Sequence, residues 1–216
     1  MDRAAILAAI FKVGIIPVVR TLNAESAFRC AEVLHRGGIC AVEIAVTNPE
    51  AADAIRRIRG RFGEEMLVGA GTVLDVDTAR QCVSAGAQFL LSPALKPPVI
   101  DVAKELSTVV MPGALTPTEI YSAWEAGADA VRIVPCNAMG GPRYIKSLRA
   151  PFPKIRFIAS GGVTLDNIGE YLHAGASAVG VTGALVDAAS VRDEHYEVFA
   201  ERARRFRVAI ARARGL

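Results

Sequence analysis

Glu43 and Arg132 are the residues whose setting most invites a chemical reading. Each stands inside a short apolar run, Ala41-Val42-Glu43-Ile44 and Ala130-Val131-Arg132-Ile133, of the kind that forms strands buried on both faces. Loss of water disfavours the charged form of a carboxyl and suits it to proton transfer, whereas a cationic neighbour such as Arg132 or Arg20 favours the charge. The structural alternative makes Glu43 a salt-bridged carboxylate and Arg132 a rim residue with an acidic partner. Two further groups point to anion chemistry. Ser160-Gly161-Gly162 and Thr182-Gly183 follow apolar runs, and glycine turns that feed helix N-termini expose backbone N–H groups to a phosphate. The bland reading is two ordinary turns. Thr72 and Ser92, the latter followed by Pro93, close two more apolar runs, where small hydroxyls orient a substrate carboxylate or merely cap the turn. Cys136 has no histidine placed to activate it and reads as a small core filler.

The elements that carry these residues repeat. Ala41-Val42-Glu43-Ile44, Ala130-Val131-Arg132-Ile133 and Ala178-Val179-Gly180-Val181 each follow a glycine three residues before the alanine, namely Gly38, Gly127 and Gly175. Gly86 before Phe89-Leu90-Leu91 is a weaker copy. Such helix–glycine–strand units predict a βα array in which equivalent strand positions face the same way, so Glu43 and Arg132 are expected to share an interior. Strands are predicted over 14–20, 39–46, 67–73, 89–91, 108–111, 130–134, 155–159 and 178–181, each followed by a helix. Pro49 is expected at a first helical position, Pro112-Gly113 should stop the fifth strand, and Thr116-Pro117-Thr118-Glu119 is a capping box. Eight alternating units, with an extra N-terminal helix, predict a closed (β/α)8 TIM barrel in which strand ends carry the chemistry. Gly69-Ala70-Gly71 lacks the later glycine of a dinucleotide fingerprint and reads as close packing and a tight turn.

At 216 residues and 52% hydrophobic, with nothing resembling a linker, the whole chain (1–216) is expected to form a single domain. A net charge of +3 without aromatic interleaving argues against nucleic acid. The arginine-rich stretch 202–214 shares helical spacing with Phe199, Phe206 and Ile210 and reads as the solvated face of a closing helix. Four cysteines without CxxC spacing suggest reduced thiols, and three scattered histidines offer no metal site. No cofactor or metal is expected, nor any membrane contact, and the absence of signal or stop-transfer patterns predicts a cytoplasmic location.

Together these motifs resemble the family of 2-keto-3-deoxy-6-phosphogluconate (KDPG) and 2-keto-4-hydroxyglutarate (KHG) aldolases, with 2-keto-3-deoxy-6-phosphogalactonate aldolase a close relative. The likeness runs through Pro17-Val18-Val19-Arg20, Val42-Glu43-Ile44, Gly69-Ala70-Gly71-Thr72-Val73, Ser92-Pro93, Met111-Pro112-Gly113, Val131-Arg132-Ile133-Val134-Pro135, Gly141-Pro142-Arg143-Tyr144-Ile145-Lys146 and Gly161-Gly162-Val163. The resemblance implies a homotrimeric barrel that releases pyruvate from a small oxoacid or phosphorylated sugar acid through a Schiff base. It implies Glu43 as acid/base residue, Arg20 and Thr72 as substrate contacts, and Gly161, Gly162, Thr182 and Gly183 as phosphate loops. Thr47, Ser92 and Pro93 fall with the substrate contacts. The sequence departs from the pattern at two places: Arg132 stands where the family has its Schiff-base lysine, and Thr47-Asn48 where some members place a carboxylate-binding arginine. A guanidinium stays protonated and cannot form a Schiff base. Three readings follow: a lyase with a relocated amine, such as Lys96; a lyase or oxoacid decarboxylase in which Arg132 stabilises an enolate electrostatically, with or without a metal; or a homologue that binds phosphorylated oxoacids without turnover.

Overall fold

The computed structural model describes all 216 residues and consists of one parallel sheet wrapped by helices. Nine segments make up the sheet: β1 (Ile15–Val19), β2 (Ala41–Ala45), β3 (Leu67–Gly71), β4 (Phe89–Leu91), β5 (Val109–Met111), β6 (Gly113–Ala114), β7 (Val131–Ile133), β8 (Phe157–Ser160) and β9 (Ala178–Val181). They pair in the order β5-β4-β3-β2-β1-β9-β8-β7-β6. The two ends of that order are joined by Pro112 alone, so the sheet closes on itself. The expected (β/α)8 barrel is therefore present, with one of its eight positions split into β5 and β6. Pro112 does not stop the strand as expected. It has no N–H to give the ladder, but its carbonyl accepts from Arg132 N at 2.9 Å and the chain resumes pairing one residue later.

The repeated glycines have a backbone cause. Gly38, Gly86, Gly127 and Gly175 all take the left-handed conformation, with φ of 82°, 105°, 96° and 104°, ending one helix and aiming the chain into the next strand. Fixed spacing from that turn sets the same inward register in each unit. Ala41, Ala130 and Ala178 face the barrel interior, in one buried cluster with Ile16, Leu67, Phe89 and Ile158. With a period of two, Glu43, Arg132 and Gly180 face the interior one layer higher. The N-terminal helix Arg3–Val13 plugs the bottom with Ile6 and Ile10, and Arg3 pairs with Asp129 at 2.9 Å.

Most helix starts follow the sequence signals. Asn23 accepts from Ser26 N at 2.8 Å, and the helix Ala24–Arg36 buries Ala27, Cys30, Ala31 and Leu34 at helical spacing. The closing helix Glu197–Ala213 buries Phe199, Phe206 and Ile210 as expected. Pro49 is a correction: the following helix is Ala51–Phe62, and Asn48 Oδ1 accepts from Glu50 N at 2.7 Å, a local turn that delays the helix past the proline. At helix Pro117–Glu125 the full capping box forms, with Thr116 Oγ accepting from Glu119 N at 3.3 Å and Glu119 Oε2 accepting from Thr116 N at 2.7 Å. The backbone N–H groups of Thr116 and Leu115, both donating to Glu119 Oε2, hold that carboxyl below the ordinary glutamate range. Thr116→Ala is expected to lower stability by about 1 kcal/mol in a urea titration. No helix is long and apolar enough to cross a membrane.

Candidate active site

The barrel's C-terminal mouth holds a small cavity of about 170 Å³, lined in part by Arg20, Glu43, Thr72, Arg132, Ser160 and Thr182. At its floor, Arg132 Nη1 donates to both carboxylate oxygens of Glu43, at 2.9 and 3.0 Å, and Arg132 Nε donates to Ser160 Oγ at 3.0 Å. Glu43 is 1% exposed and Arg132 8%. Arg132 Nη2 donates to no protein acceptor, and it is not among the sealed-off polar atoms. It therefore looks into the cavity, as a ready donor for an oxyanion.

Two glycines make room for this group. A Cβ at Gly71 would lie 1.8 Å from Glu43 Oε1, and one at Gly180 would lie 2.1 Å from Ser160 Oγ and 3.5 Å from Arg132 Nη2. Gly69 is likewise required by Phe89, whose ring would be 2.1 Å from an added Cβ. The close-packing reading of Gly69 and Gly71 holds, but the left-handed turn residue is Thr72, at φ 64°. A β-branched residue there carries backbone strain of about 1 to 3 kcal/mol, held at a position that lines the cavity.

Beside the first cavity lies a second of about 260 Å³, walled by Gly161, Gly162, Thr164, Thr182 and Gly183, and sharing Gly161 and Thr182 with it. Gly161 and Gly162 take φ of 98° and 71°. The N–H groups of Gly162, Val163, Gly183 and Ala184 have no acceptor in the protein. Successive free donors in two turns that wall one cavity are an arrangement that can hold an anion.

These features match a known group of proteins. The family described as KDPG and KHG aldolase matches residues 6–201. The chain belongs to that aldolase family. It is 37% identical over 167 residues to a 2-dehydro-3-deoxy-phosphogluconate aldolase of Treponema pallidum (strain Nichols), covering 77% of this chain and 79% of the relative. A solved structure described as native KDPGal superposes with a TM-score of 0.86 at 33% identity, covering 94% of this chain and 96% of the other. KDPG aldolase from Legionella pneumophila, with pyruvate captured as a covalent carbinolamine intermediate, superposes with a TM-score of 0.85 at 26% identity, covering 94% and 97%.

For an aldolase-family chain, what the mouth lacks is as informative as what it holds. No lysine lines the cavity. Lys96 sits at the start of helix Pro97–Glu105, where it adds a minor part to the lowering of the Asp75 carboxyl, a shift caused chiefly by hydrogen bonds from Thr78. Lys146 is exposed on helix Pro142–Arg149. Of the residues picked out from sequence, Arg20, Glu43, Thr72, Pro93, Arg132, Gly161 and Thr182 meet at the first cavity, and Gly161, Gly162, Thr182 and Gly183 at the second. Two do not join them. Thr47 is exposed beyond β2 and outside both cavities, and Ser92 is buried with its hydroxyl donated to Ala94 O at 2.7 Å, a local cap. Cys136 is the expected filler, its thiol pushed up to about 11 by burial. Ser160 entered the sequence reading only as the start of a glycine turn. Its role beside Arg132 has no local signal, because the two residues are 28 positions apart.

Proposed function

We propose that the chain is an aldehyde-lyase that releases pyruvate from a 2-keto-3-deoxy-6-phospho sugar acid or from 2-keto-4-hydroxyglutarate, with Arg132 holding the enolate electrostatically. The observation that carries this reading is the free Nη2 of Arg132, aimed into a mouth cavity whose neighbour is a cradle of unpaired N–H groups. The oxoacid end fits the first cavity, where Arg20 and Arg132 supply guanidinium groups for its carboxylate and C2 oxygen. The phosphate fits the glycine cradle.

In the retro-aldol direction, the proton of the substrate's C4 hydroxyl passes to the Glu43 carboxylate. The C3–C4 bond breaks, its electrons form the enolate of pyruvate, and the C4 aldehyde departs. Glu43 then returns that proton to C3, giving the methyl group of pyruvate, so one proton moves from oxygen to carbon and no redox partner is needed. Arg132 Nη2 stabilises the charge that gathers on the C2 oxygen. The Legionella relative captures pyruvate covalently; an arginine at the cavity floor favours a non-covalent route.

The test is turnover of phosphorylated and unphosphorylated acids, followed by pyruvate formation. Loss of the phosphate is expected to lower kcat/KM at least about tenfold, about 1.4 kcal/mol. Equal rates for both would remove the phosphate role of the glycine cradle. Tight binding of the phosphorylated acid with no pyruvate release would replace the lyase by a binding homologue.

A further inference from the structure

We infer that Ser160 is a positioning residue, setting the direction in which Arg132 presents its free donor; this rests on the enolate reading proposed above. The guanidinium is planar, so its five N–H groups keep fixed relative directions. Glu43 engages a single nitrogen, Nη1, with both oxygens. A contact through one nitrogen leaves the plane free to swing about it. Ser160 supplies the second anchor, accepting from Nε at 3.0 Å. With Nε and Nη1 both held, the direction of Nη2 is fixed.

The surroundings leave Ser160 little else to do. It is 2% exposed, and its hydroxyl oxygen occupies space that exists only because residue 180, directly paired with it across the β8–β9 ladder, is glycine. An added Cβ at residue 180 would also come into ordinary contact with Nη2, at 3.5 Å. Ser160, Gly180 and Arg132 therefore act as one device: a hydroxyl that holds the plane, a gap that admits the hydroxyl, and a donor aimed at the reacting oxygen.

Oxalate, a planar mimic of the pyruvate enolate, reports this aim without turnover. By calorimetry, the unmodified chain is expected to bind oxalate at least about thirtyfold more tightly than pyruvate. Ser160→Ala is expected to lose about tenfold of that preference while keeping its pyruvate affinity, and to lower kcat about tenfold with little change in KM. Ser160→Thr, which keeps the hydroxyl, is expected to restore both. If the unmodified chain prefers oxalate and Ser160→Ala prefers it equally, the positioning role is overturned while the enolate reading stands. If Ser160→Ala weakens both ligands alike, Ser160 is only structural and the inference fails. No preference in the unmodified chain would overturn the enolate reading itself.

Discussion

Arg132→Lys is expected to raise pyruvate-releasing activity at least about tenfold, a drop of about 1.4 kcal/mol in the barrier. The argument is chemical. An amine can condense with the substrate's C2 carbonyl, and the resulting iminium withdraws electrons from the breaking C3–C4 bond far more strongly than a hydrogen bond to oxygen does. The pocket already contains what such an amine needs: a buried position, Glu43 within reach to carry protons, and a mouth open to substrate. Borohydride treatment with pyruvate is expected to leave a covalent adduct at position 132 of the variant and none on the unmodified chain. An adduct on Lys96 of the unmodified chain would show that a relocated amine reaches the substrate. An unchanged rate in the variant would mean that the site has been rebuilt around arginine in ways an amine cannot use.

Glu43→Ala is expected to destabilise the fold by about 3 kcal/mol and to abolish lyase activity. The cause is less the loss of an attraction than the isolation of its partner. Arg132 is 8% exposed, and Glu43 is its one acidic partner, with only Ser160 as a further acceptor. Removing the carboxylate leaves a cation in a site poor in water, although the mouth cavity on one side lets some solvent reach it, which keeps the cost near the lower end of the buried-pair range. Replacing both members by apolar residues, Glu43→Leu with Arg132→Met, is expected to recover most of the loss, since the desolvation penalty then disappears with the charges. Urea titration of the three proteins decides the matter: a Glu43→Ala variant as stable as the unmodified chain would show that the ion pair carries no structural weight. The two experiments separate the roles of the pair, because the first changes chemistry while keeping a cation, and the second removes its counter-charge.

Much of this architecture is local information. The left-handed glycines at 38, 86, 127 and 175 end their helices because that backbone conformation suits glycine, and they do so whatever lies across the barrel. The inward register follows from a strict period of two counted from those turns. That is why copies of one short pattern are enough to place Glu43 and Arg132 in one interior. The capping box at Thr116 and the buried stripe of the closing helix are equally local.

Where sequence reading fell short, the deciding contact was either long-range, as at Pro112, or one of two local options that the sequence left open, as at Ser92. Pro112 reads as a strand terminator, yet Arg132 N reaches its carbonyl from the neighbouring strand and keeps the barrel closed. Ser92 reads as a substrate ligand, but its hydroxyl is spent on Ala94 O, and Thr47 lies outside both cavities. Lys96 reads as a candidate amine, but it starts helix Pro97–Glu105 and is not among the residues that line the cavity.

By itself, the amino-acid order determined a barrel, a family and an acid and a base facing one interior, because periodicity and turn chemistry act over a few residues. Only the tertiary structure decided which atom of Arg132 remains free, that Ser160 holds it and that no lysine joins it. Those outcomes depend on how strands far apart in the chain are staggered around the closed sheet, and on side chains whose competing partners become neighbours only after closure.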